Sequence, residues 1–72
     1  MEGKIRDNFI KILSGELKYT SSNLAFNMLI SKLQKKIIAA PESVDSCLEE
    51  IEGFVVKYPL IAKVDFVNIA AL

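Results

Sequence analysis

The sequence predicts an all-α fold: a small helical bundle of three main helices plus a short C-terminal fourth helix, in a single domain over residues 1–72. Three observations predict it. Apolar residues recur at three- and four-residue spacings rather than alternating. The breaks between these runs are few: Gly15, Thr20-Ser21-Ser22, Pro41 and Pro59. Hydrophobic residues make up 51% of 72 residues, with charged residues at 25% and no net charge, a composition that collapses rather than staying disordered.

The first predicted helix runs from about Glu2 to Ser14. Ile5, Phe9, Ile12 and Leu13 share one face, and Gly15 stops it by accepting the left-handed backbone conformation that closes a helix. The second opens at Ser21 or Ser22, whose hydroxyls suit an N-cap. Its main stripe is Phe26, Leu29, Ile30, Leu33, Ile37 and Ala40, while Leu24, Met28 and Ile38 point roughly the other way. A helix apolar on two faces is either central in the fold or part of an interface.

The third helix starts at Pro41, with Glu42 and Asp45 at the positive end of its dipole. Val44, Leu48, Ile51, Val55 and Tyr58 recur in heptad rhythm, with Cys47 and Phe54 widening the stripe. Gly53 faces away from the stripe, as a flat patch for a close approach or as a tolerated glycine. Pro59 ends or kinks this helix. Beyond it, Leu60, Val64, Val67 and Ala71 form a stripe, and Ile61, Phe66 and Ile69 lie off it. Val64 to Ile69 also suits a strand, but no second strand is evident to pair with it, so a helix buried on several sides is expected.

Charge divides the chain. Residues 1–40 carry seven cations against three anions, net +4, and residues 41–72 carry two against six, net −4. The halves are expected to attract, within one chain or between two. Lys4 and Arg6, and Glu49, Glu50 and Glu52, are the groups that dipole compensation leaves unexplained.

Enzyme chemistry finds little footing. With no histidine, Ser-His and Cys-His nucleophile systems and histidine metal sites are excluded within one chain. Cys47, the only cysteine, lies on an apolar stripe and reads as a buried inert thiol. Glu49 and Glu52 lie one turn apart, but no Asp-rich loop accompanies them, so they read as a solvated face rather than a cation site. No catalytic, cofactor-binding or metal-binding residue is assigned, and no cofactor is expected. The chain opens on a polar stretch rather than a secretory signal, and Leu60 to Leu72 is too short and too interrupted to span a bilayer; a cytoplasmic setting is expected.

A chain of this length buries only about 60% of the surface it exposes when unfolded, so some apolar side chains need a partner. The expectation is a non-enzymatic protein–protein interaction module of the adaptor, inhibitor or immunity type, self-associating as a homodimer through apolar helix faces. A second copy or another protein would meet Leu24, Met28, Ile38, Phe66 and Ile69. The alternative is a small DNA-binding regulator using Lys32, Lys35 and Lys36. An isoelectric point near 6.2 disfavours nucleic acid, as do the absence of arginine from that helix and the position of those lysines near a helix C-terminus.

Overall fold

The first two helices begin at residues whose side chains cap them, and the last two are introduced by prolines. The computed structural model describes residues 1–72, in four helices: α1 (Gly3–Leu13), α2 (Leu24–Ala39), α3 (Val44–Lys57) and α4 (Pro59–Ala70). Glu2 caps α1, its carboxylate accepting from the Lys4 N–H. Gly15, at φ 84°, closes α1 in a Schellman motif: Gly15 N–H donates to Ile12 O and Glu16 N–H to Lys11 O.

The predicted start of α2 is corrected from Ser21 or Ser22 to Asn23, whose side-chain oxygen accepts from the Phe26 N–H at 3.1 Å. Ser21 is occupied otherwise. Its backbone is clamped on both sides by the Asn27 amide at 2.8 Å, and its hydroxyl accepts from the Asn23 N–H. Pro41 opens a 3₁₀ turn, Pro41–Ser43, that runs into α3. Pro59 is the first residue of α4, so α3 and α4 meet at the one-residue corner Tyr58. The segment after Pro59 is helix, not strand.

α1 and α3 touch each other, and each touches both α2 and α4. The latter two therefore flank a central α1–α3 pair, and α2 is an outer helix. The core joins Phe9, Ile12 and Leu13 of α1, Phe26, Ile30 and Leu33 of α2, Cys47, Leu48 and Ile51 of α3, and Ile69 of α4. A run of aromatic rings crosses all four helices. Phe66 lies 5.3 Å from Phe9, Phe9 lies 6.3 Å from Phe26, and Phe26 lies 5.5 Å from Phe54. Such tilted ring pairs add about 0.5–1.5 kcal/mol each beyond their burial.

The opposite charges of the two halves meet within the chain. Arg6 pairs with Asp45 at 3.1 Å, Lys32 with Glu50 at 3.3 Å, and the Met1 ammonium with Glu52 at 3.6 Å. All three pairs link residues 1–40 to residues 41–72. Arg6, Glu50 and Glu52 thus have intrachain partners. Such pairs are partly exposed and contribute about 0–1 kcal/mol each. No helix is long and apolar enough to cross a membrane.

Candidate interaction surface

The composition excess ends up on the surface. Ten large apolar side chains are exposed, and seven of them lie between Val56 and Leu72. Most of these belong to α4. On a helix, Leu60, Val64, Val67 and Ala71 fall on one face, and Ala62, Asp65 and Ile69 on the opposite one. The structure turns the second set inward: Ala62 and Ile69 are completely buried and Asp65 is 2% exposed. The first set faces outward, with Leu60 83%, Val64 55% and Val67 62% exposed. The stripe that periodicity marks as the packing face of this segment is its solvent face.

Two polar clamps and a small residue select this rotation. The Tyr19 hydroxyl, from the segment between α1 and α2, donates to the Asp65 carboxylate. The Asn8 amide on α1 donates to the Ile69 carbonyl at 2.9 Å, satisfying a carbonyl of the last turn of α4. Ala62 lets α4 approach its neighbours closely. Rolled the other way, α4 would leave Asn8 buried without that partner and would deprive Tyr19 of its acceptor. With these partners the buried Asn8 amide and the Asp65 carboxylate are both hydrogen-bonded, which offsets the cost of turning a charged residue into the core. The Tyr19 phenol is pushed up to about 12, first by burial and then by the Asp65 carboxylate that its proton binds.

The predicted contact residues separate. Leu24, Met28 and Ile38 are exposed on the outer side of α2, where Leu24 and Met28 line an open depression with Asn27, Ser31, Lys32 and Lys35. Ile69 is corrected to a core residue, because the Asn8 and Asp65 clamps turn it inward. Phe66 is half-buried: its ring packs on Phe9, and it also borders an apolar notch of about 190 Å³ with Met1, Val55 and Val56. Leu60, Val64 and Val67 were missed as surface residues. Only their spacing was visible in sequence, and spacing does not say which side of a uniformly apolar helix meets the core.

The lysines of α2 do not act as one group. Lys32 pairs with Glu50, Lys36 donates to the Ser46 hydroxyl at 3.0 Å, and Lys35 stands in the open depression. Cys47 is completely buried, with the Ser43 hydroxyl 3.8 Å from its sulfur. Gly53 is exposed, and a Cβ there would meet nothing within 4 Å, so no helix of this chain uses it for close approach.

Comparison with protein-family models, curated proteins and solved structures returns no match.

Proposed function

We propose that this chain is a non-catalytic protein-binding module whose contact surface is the outward face of α4. One observation carries the reading: Leu60, Val64 and Val67 stand exposed in a row on a helix whose opposite face is locked into the core. They form an apolar row on the surface, and the largest apolar patch of a monomer is often functional. The helix carries two charged residues. Asp65 is buried, and Lys63 sits at the edge of the strip. A membrane-surface helix would want a cationic polar face, which α4 lacks.

The nucleic-acid alternative loses support because Lys32 and Lys36 are engaged toward α3, and Lys32 sits against a carboxylate that phosphate would have to displace. The test is a paired substitution, Val64→Glu with Val67→Glu, on a surface that the fold does not need. Loss of protein binding with an unchanged melting temperature supports the reading. Binding that survives this change, or that is abolished instead by Lys32→Glu with Lys35→Glu and falls steeply with salt, overturns it.

A further inference from the structure

Resting on the reading of α4 as a contact surface, we infer that its occupant is α4 of a second copy of this chain, packed antiparallel about a twofold axis between Val64 and Val67. Leu60, Val64, Val67 and Ala71 keep the four-three-four spacing of a coiled-coil seam, here on the outside of the bundle. Two such seams can run parallel or antiparallel, and the side-chain volumes distinguish the two. Parallel pairing stacks Leu60 on Leu60 and Ala71 on Ala71, crowding one layer and leaving a gap in the other. Antiparallel pairing sets Leu60 against Ala71 at both ends and Val64 against Val67 in the middle, so every layer holds a comparable volume.

Electrostatics agrees. Antiparallel helices oppose their dipoles, and Lys63 comes level with the last turn of the other α4, where helix carbonyls favour a cation. No acidic side chain lies on the outer face to oppose the contact, because Asp65, the only acid of α4, is turned into the core. A twofold contact is also self-limiting: each copy uses its one seam on the other, so association stops at two. The seam alone falls short of the ~800 Å² per partner of a standard interface, so the dimer forms reversibly and follows concentration.

Sedimentation velocity on the full chain over a range from about 1 µM to 1 mM tests this. The expected result is a mass moving from one to two copies, with Val64→Glu/Val67→Glu shifting the midpoint at least tenfold higher while its melting curve at low concentration is unchanged. Orientation is read by oxidation of V64C and V67C variants, since Cys47 is buried and unavailable. An equal mixture is expected to cross-link faster than either variant alone, whereas faster self-linking of V64C overturns the antiparallel arrangement. A wild-type chain that stays monomeric throughout, or a dimer indifferent to the Val64/Val67 change, overturns the inference. If that monomer still binds another protein through α4, the contact surface survives and only the second copy fails. If it binds none, both fail.

Discussion

α3 and α4 are consecutive helices separated by one residue, yet their sequences constrain them very differently. α3 has one apolar stripe and a back carrying Ser46, Glu49 and Gly53, where Val56 is its one large exposed apolar side chain, so burial chooses its orientation. α4 is apolar nearly all round, and burial is almost indifferent to its rotation about its own axis. What orients it is a pair of hydrogen bonds, Tyr19 to Asp65 and Asn8 to Ile69, from segments 46 and 61 residues away in sequence. A strongly amphipathic helix is placed by its own pattern; a uniformly apolar one is placed by the few polar atoms it must satisfy.

The largest expected effects probe whether the inner faces of the two helices are equivalent. Ile51→Ala on α3 and Ile69→Ala on α4 each remove completely buried methylenes and should destabilise by about 2–5 kcal/mol in urea denaturation. Equal losses confirm that α4 is packed as firmly as α3, whereas a loss at Ile69 below about 0.5 kcal/mol would mean α4 is turned the other way.

Next come the clamps. Tyr19→Phe leaves the buried Asp65 without its phenolic donor and should cost about 1–3 kcal/mol. Changing Asp65→Leu in the same chain should recover part of that loss, because both halves of the pair are then gone. The pair also has a pH signature. Folding raises the Tyr19 pKa from 10.0 to about 12, so the folded state holds its proton where the unfolded state releases it. The stability this contributes is present below pH 10 and is lost as pH rises through about 12. Subtracting the Tyr19→Phe stability profile from that of the wild type should show a decline confined to that window.

The outer face should respond least. Val67→Ser or Val64→Ser, measured where the chain is monomeric, should change stability by no more than about 0.5 kcal/mol, roughly a four- to tenfold contrast with Ile69→Ala on the same helix. Gly53→Ala on the back of α3 should stabilise by about 0.5–1 kcal/mol, because alanine is the better helix former and the added methyl meets nothing. A Gly53→Ala protein that is less stable would mean that this surface is covered.

Much of the fold was legible. The helical class, the fourfold division, the Gly15 stop, the stripes of α1 and α3 and the buried thiol of Cys47 all follow from spacing and from residues with sharp local preferences. The start of α2 was misplaced by two residues at most. Two serines and an asparagine compete there as caps, and the choice depends on Asn27 reaching back to hold Ser21. Most of the exposed apolar side chains lie on α2 and after Pro59, as the spacing implies, but Val56 and Tyr58 at the end of α3 are exposed as well, and Ile69 belongs to the inner face of α4. Leu24, Met28 and Ile38 are exposed as read, because Phe26, Ile30 and Leu33 define the other side of α2 clearly enough.

From the sequence alone came the number of helices, their ends to within a turn, and an apolar content that is high for a chain of this size. Those properties are local or additive, set by backbone preference, by periodicity and by the ratio of surface to volume. Only the tertiary structure decided which side of α4 faces solvent. That choice rests on Tyr19 and Asn8 finding Asp65 and the Ile69 carbonyl across the fold, contacts that leave no periodic trace in the chain.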